Sequence, residues 1–363
     1  MTGGSGHVEL KFRNLFDSVF KKHSRDEAEE LFACGTPSTT PALADVSREW
    51  PHPWLYSRVF LVLLITFIGL YFMFYFTANE NVLPGLMFVG ALMVPFAVVI
   101  LFFETNALRN LSIVRVIEIF FAGGVLSLVV TLFLFSVVPG TGAGDFVPSM
   151  LVGVVEELGK AAAVAYFMSR TRGRNHILSG LLIGAAVGAG FAVFETAGYI
   201  FSSFVGYMMT IMQYVVDQGI TTDMGEVIQY GMTDGFQTGF DGMMVTLVQR
   251  AVLAVGGHVA WAAVEGGALA LCDNGDGFDT KHLTDMRFVS YLAVCIVLHG
   301  IWDMTVPILG DSTVVLPLVN SPKYLLLIVA IWITLFILLH RGLAQINALT
   351  ESKPSVTTPA ENV

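Results

Sequence analysis

The stretch Val59-Phe-Leu-Val-Leu-Leu-Ile-Thr-Phe-Ile-Gly-Leu-Tyr-Phe-Met-Phe-Tyr-Phe-Thr77 decides the fold class. It holds no charged residue, and about 20 such residues in a helix cross the ~30 Å hydrocarbon layer of a bilayer. A backbone in lipid must satisfy its own N–H and C=O groups. The two-residue alternation of a barrel strand is absent, so the stretch predicts a transmembrane helix. Comparable stretches lie near 84–103, 115–138, 148–168, 178–203, 247–271, 288–306 and 323–340. The sequence therefore predicts an all-α polytopic membrane protein with about eight spans.

The composition agrees. The 363 residues are 55% hydrophobic and 13% charged, against about 25% charged in soluble domains; the mean hydropathy is +0.70. No short apolar core followed by a cleavage site opens the chain, so no secretory signal peptide is expected. Cys34, Cys272 and Cys295 are far apart, without paired metal spacing or a disulfide framework. The net charge of −10 gives no footprint for nucleic acid.

Residues 1–57 read as a polar cytoplasmic segment with a basic group (Lys11, Arg13, Lys21, Lys22, Arg25) and a Pro/Thr/Ser-rich linker from Gly35 to Pro41. Trp50 and Trp54 then suggest an interfacial anchor at the membrane edge. Residues 58–342 form the expected membrane domain, and 343–363 a flexible cytoplasmic tail. Lys and Arg in short loops set orientation. Arg109 and Arg115, and then Arg170, Arg172 and Arg174, mark the second and fourth loops as cytoplasmic, while the first and third have none. Both termini are thus expected in the cytoplasm. Between spans five and six, Tyr207 to Asp241 is too polar to cross; an amphipathic outer helix or lid and a plain surface loop both fit. Gly180, Gly184, Gly188 and Ala192 recur every fourth residue and predict close helix packing rather than chemistry.

The chemistry sits in spans four to seven. Glu156, Glu157 and Lys160 lie in the fourth, Glu195 and Tyr199 in the fifth, Arg250 and His258 in the sixth, and His299 and Asp303 in the seventh. A charged residue at a helix centre costs about 2.5–3.5 kcal/mol on insertion scales. Glu156, Glu157, Lys160, Glu195 and Asp303 taken singly would together cost about 12–17 kcal/mol on that scale, comparable to a whole fold's stability. Such groups must pair or bind something. Their positions place them at one depth toward the outer face. Spacing of four pairs Glu156 with Lys160, Glu195 with Tyr199, and His299 with Asp303. Two histidines with carboxylates such as Glu195 and Asp303 suit zinc, and a free carboxylate beside the water would be a general base. Blander readings stand beside these: an internal Glu156–Lys160 ion pair, a satisfied core His258, an Asp303 that only orients His299. Glu265 reads as a packing or cytoplasm-edge residue.

Glu-Glu-x-x-Lys at 156–160, Phe-Glu-x-x-x-Tyr at 194–199, the Arg250 to His258 segment and His-x-x-x-Asp at 299–303 resemble the PrsW family. That family lies in the clan of CAAX prenyl endopeptidases and bacteriocin-processing or immunity-type membrane proteases. The resemblance covers roughly residues 59–340. It implies an intramembrane endopeptidase in a bacterial or archaeal plasma membrane, making the first cut in a membrane-anchored protein such as an anti-sigma factor. It also implies that Glu156 and Glu157 are the catalytic acids, with Glu195, His258, His299 and Asp303 as the remaining polar shell. Zinc and a metal-independent glutamate-activated water both remain open. Two rivals use the same residues: a proton- or ion-coupled transporter, for which no internal repeat is found, and a noncatalytic membrane scaffold or immunity protein.

Overall fold

A computed structural model describes residues 11–47, 50–171, 175–306 and 322–351. The described residues form helices and turns joined by one isolated backbone bridge, Gly144 to Met304. In chain order the helices are α1 (Arg25–Phe32), α2 (Leu55–Thr77), α3 (Leu83–Thr105), α4 (Ile113–Glu118), α5 (Gly124–Val137), α6 (Phe146–Ser169), α7 (Ile177–Asp217), α8 (Met224–Tyr230), α9 (Phe236–Leu253), α10 (His258–Leu271), α11 (Met286–Asp303) and α12 (Pro322–Glu351). A π turn at Ile119–Gly123 joins α4 to α5, and another at Gly231–Gly235 joins α8 to α9.

Among the described residues, seven helical runs are long and apolar enough to cross a membrane. An eighth, α6, has 24 residues but carries Glu156, Glu157 and Lys160 within its apolar sequence. The chain is an all-α polytopic membrane protein.

The site depends on one close helix pair. A Cβ added at Gly180, Gly184 or Gly188 would collide with the carbonyls of Gly266, Ala262 and His258 respectively. Only glycine lets the α7 and α10 backbones meet this closely. Gly124 and Gly190 do the same between α5 and α7, where a Cβ on Gly124 would sit 2.5 Å from the Gly190 carbonyl carbon.

Four differences from the sequence reading matter. The fifth span does not end near 203: α7 runs 41 residues, about 62 Å at 1.5 Å per residue, far beyond the hydrocarbon layer. With α8 and α9 it forms a helical hairpin over Tyr207 to Asp241, turning at Gly219, whose φ is +64°. Phe204 meets Phe236 edge-on at 5.3 Å, so this segment is packed helix rather than loop. The sixth span is broken: a 3-10 turn at Ala254–Gly256, followed by Gly257, separates α9 from α10. Arg250 and His258 therefore lie on different helices.

The N-terminal segment is docked rather than separate. Glu104 accepts from the backbone N–H groups of Trp54, Leu55 and Tyr56 at 2.8–2.9 Å, which supplies an acceptor to three amides that open α2. Tyr56 Oη donates to the Leu15 carbonyl, and Arg58 donates to the Val19 carbonyl. Trp50 and Trp54 are buried under this segment, and Trp54 stacks on His23; they are not open interfacial anchors. The expected tail is also shorter, because α12 continues to Glu351 with Leu343 and Ile346 buried. Arg172, Arg174 and residues 352–363 lie outside the described residues.

Candidate active site

On α6, Glu156 and Glu157 point different ways. Glu156 lines a cavity of about 700 Å³, together with Glu195, Tyr199, Arg250, His258, His299 and Asp303. Glu157 and Lys160 lie behind its wall, both fully buried. Lys160 does not pair with Glu156 as the spacing of four suggested. Its Nζ donates to Glu157 Oε1 at 2.6 Å and to His258 Nδ1 at 3.0 Å. Positions three and four apart share a helix face equally, so spacing alone could not choose between the two glutamates.

These contacts fix the imidazole tautomers. A carboxylate only accepts, so His299 Nδ1, 2.5 Å from Glu157 Oε1, carries a proton, and in the neutral ring its Nε2 keeps the lone pair. An ammonium only donates, so His258 Nδ1 is the lone-pair side. Its Nε2–H then donates to Glu195 Oε2 at 3.0 Å. Arg250 ion-pairs with the same Glu195 oxygen, and its Nε donates to Thr196 Oγ1 at 2.9 Å. The Arg250 guanidinium also lies 4.4 Å over the Tyr199 ring. Asp303 Oδ2 lies 3.5 Å from His299 Nε2, an ion pair only when that nitrogen is protonated.

Both nitrogens approach one atom, although the His258 Nδ1 lone pair already accepts from Lys160. Glu156 Oε2 is 3.6 Å from His299 Nε2 and 3.8 Å from His258 Nδ1. It is buried and makes no hydrogen bond among the described residues. Glu156, His258 and His299 bring one donor each within 4.8 Å of one another. Two imidazole nitrogens and a carboxylate oxygen form a donor set suited to zinc, and the orphaned Oε2 is an acceptor such an ion would satisfy. The residues fit a metal. Glu195 is instead engaged by His258 and Arg250, and Asp303 Oδ2 approaches the same His299 Nε2 as Glu156, at 3.5 Å.

Sequence reasoning missed the aromatic walls. Trp261 stacks on His299 with ring centroids 4.4 Å apart and meets His258 edge-on at 5.2 Å. Trp302 packs edge-on against Trp261 at 5.5 Å. The signal was present: both histidines open the pattern His-x-x-Trp, at 258–261 and 299–302, which puts each Trp on its histidine's face. Near the mouth, Gly144 N donates to the Asp303 carbonyl and Thr305 N to the Gly144 carbonyl. This ties the loop before α6 to the end of α11.

The family model for PrsW family intramembrane metalloproteases matches residues 86–339, which include every residue named at the site. No match was found to a curated protein or to a solved structure.

Proposed function

The chain belongs to the PrsW family of intramembrane metalloproteases, and on that premise we propose that it hydrolyses a peptide bond in a membrane-anchored protein, with Glu156 as general base. The observation that carries this is the Glu156 Oε2 atom: buried, without a hydrogen bond among the described residues, on the cavity wall, and 3.6–3.8 Å from a ring nitrogen of His299 and of His258. A carboxylate with a free lone pair beside enclosed water takes a proton from it as the water attacks, and then returns that proton to the leaving amine. Glu157 is a poor candidate for this work, since its Oε1 already accepts from Lys160 and His299. Its part is to hold His299 in one tautomer, as carboxylates behind functional histidines do. Glu195, held by Arg250, does the same for His258.

Glu156, His258 and His299 would hold zinc in the space they share; with Glu156 Oε2 as a ligand, its Oε1 would be the oxygen left to act as base. When bound, zinc would acidify the attacking water and polarise the scissile carbonyl. Trp261 and Trp302 exclude bulk water from one side of this space. The substrate class follows from the family resemblance: a membrane-anchored regulator such as an anti-sigma factor, cut first here and then processed further. A bacterial or archaeal plasma membrane, with both termini cytoplasmic, completes the reading.

The test is Glu156→Gln beside Glu157→Gln, each purified and assayed on single-span substrates. Glu156→Gln keeps the shape and removes the base. It should accumulate normally and lose about 10²–10⁴ in rate. Near wild-type cleavage by Glu156→Gln with a dead Glu157→Gln would exchange the two roles. Cleavage by both would remove the pair from the chemistry.

A further inference from the structure

The cavity in front of Glu156 is open on one side. Its lining residues from α6, α9, α10, α11 and α12 are buried or half-buried. Those that are exposed among the described residues are Leu132, Ala143, Gly198, Tyr199 and Ser202, and all of them come from α5, the loop after it and α7. Leu132 is 58% exposed and Tyr199 53%, although both line the cavity. They form a rim rather than a wall.

The backbone explains the opening. At Gly124 and Gly190, α5 and α7 touch so closely that a Cβ on either glycine would collide with the other helix. Eight residues further along each helix, about 12 Å at 1.5 Å per residue, stand Leu132 and Gly198, and both line the cavity. A Cβ at Gly198 would have nothing within 4 Å. The two helices are therefore pinched together at one level and apart at the next. Outside this gap is lipid: α5 belongs to a run long and apolar enough to cross a membrane, and its Val129, Phe133 and Val137 are exposed. Inside it, Gly198 comes one turn after Glu195, the carboxylate that holds His258.

We infer that the gap between α5 and α7 is a port open to the bilayer, through which a membrane segment of the substrate reaches the site sideways, with Gly198 as its threshold. An apolar segment already dissolved in lipid gives up little by moving against Leu128, Leu132 and Phe135 of α5, since lipid tails are as apolar as leucine. Glycine at the threshold leaves room for a passing chain, and a larger residue would take that room. The opening to lipid stands on geometry alone, whereas the passage of substrate rests on the proposed protease function.

The experiment has two arms, both on the full chain. In the first, a nitroxide is attached to Gly198→Cys in lipid bilayers. Cys34, Cys272 and Cys295 are buried, so the label goes to the introduced thiol. Oxygen, which concentrates in lipid, should reach it as it reaches a label on Phe133→Cys, and a water-soluble nickel chelate should not. Accessibility like that of Gln218→Cys, at the exposed turn of the hairpin, would make the gap a water channel and overturn the port. In the second arm, wild type, Gly198→Trp and Gly206→Trp are compared on a single-span peptide and on its cleavage segment as a water-soluble peptide. Gly198→Trp should lower kcat/KM for the single-span peptide at least about tenfold, through KM, and leave that of the soluble peptide unchanged. Gly206→Trp should change neither. Equal loss on both peptides, or no loss on either, overturns the port as the substrate's route. Should the wild type cleave neither peptide while the nitroxide reads lipid, the protease reading falls and the opening stands. Should Gly198→Trp not fold, Gly198→Leu, whose side chain also enters open space, gives the same comparison.

Discussion

His299 Nδ1 and Glu157 Oε1 are 2.5 Å apart, across two helices and 142 positions of sequence, in a contact closed to the cavity. The same oxygen takes the Lys160 ammonium at 2.6 Å. Glu157 thus neutralises one buried cation and sets the tautomer of a functional imidazole.

Removing Glu157 should consequently harm folding as well as activity. Glu157→Ala strands the Lys160 ammonium, and breaking a buried pair from one side costs about 3–5 kcal/mol. Glu157→Ala should melt well below wild type in detergent and accumulate poorly in membranes. Glu157→Gln retains an acceptor and should be much less destabilised. A Glu157→Ala protein as stable as wild type would mean that Lys160 does not depend on this carboxylate.

A second prediction concerns the α7–α10 contact. A Cβ at Gly184 would meet the backbone of Ala262, so no rotamer change can relieve it. Gly184→Leu should force the helices apart, at a cost of about 1–3 kcal/mol or more, and draw His258 away from Glu195. Gly206 has nothing within 4 Å of such a Cβ, so Gly206→Leu is the matched control. Melting temperatures of the two variants give the answer; equal values would show that the glycine stripe does not set the spacing.

That glycine stripe also shows what the sequence makes legible. Spacing of four marks a helix face whatever surrounds it, and bilayer thickness turns a charge-free run into a span. Hence the helical fold, and the meeting of Glu156, Glu195, His258, His299 and Asp303 at one cavity, could be anticipated. What escaped are choices between equivalent neighbours. Lys160 reaches three residues back to Glu157, which periodicity alone does not prefer over four. The hairpin through Tyr207 to Asp241 lacks a span's apolar signal because α7 runs on beyond the hydrocarbon thickness.

Acid sensitivity should arise at Asp273, in the loop after α10. Its Oδ2 accepts from Asn175 N at 2.7 Å, and its Oδ1 from Gly275 N and Gly277 N at 2.8 and 3.2 Å. Burial alone would raise this carboxyl; the three amides outweigh it and hold it below the ordinary carboxylate range. A carboxyl lowered by folding adds stability that is full above its unfolded pKa, about 3.9, and is lost as pH falls through the lower folded value. Asp273→Asn should cost about 1–3 kcal/mol near neutrality, and its deficit should shrink below about pH 4. Melting curves of both proteins across that range would show a constant gap if the carboxylate does not matter.

The last prediction is metal content. Glu156 Oε2 approaches His258 Nδ1 and His299 Nε2; a metal at this site would use those three atoms once His258 Nδ1 gave up its hydrogen bond from Lys160. Purified protein should carry about one equivalent of zinc, the stoichiometry of a single three-ligand catalytic site. His299→Ala, His258→Ala and Glu156→Gln should each lose it while still inserting. Asp303→Asn should keep it, since that carboxylate lies outside the three-donor group. Glu195→Gln should weaken binding about 10–100-fold without abolishing it, because Glu195 acts through the His258 Nε2–H. Loss of metal from Asp303→Asn with retention by Glu156→Gln would put Asp303 in place of Glu156 in the ligand set. Full cleavage by metal-free protein, with chelator present throughout, would leave Glu156 to activate water by itself, and the two histidines would then serve to position that water.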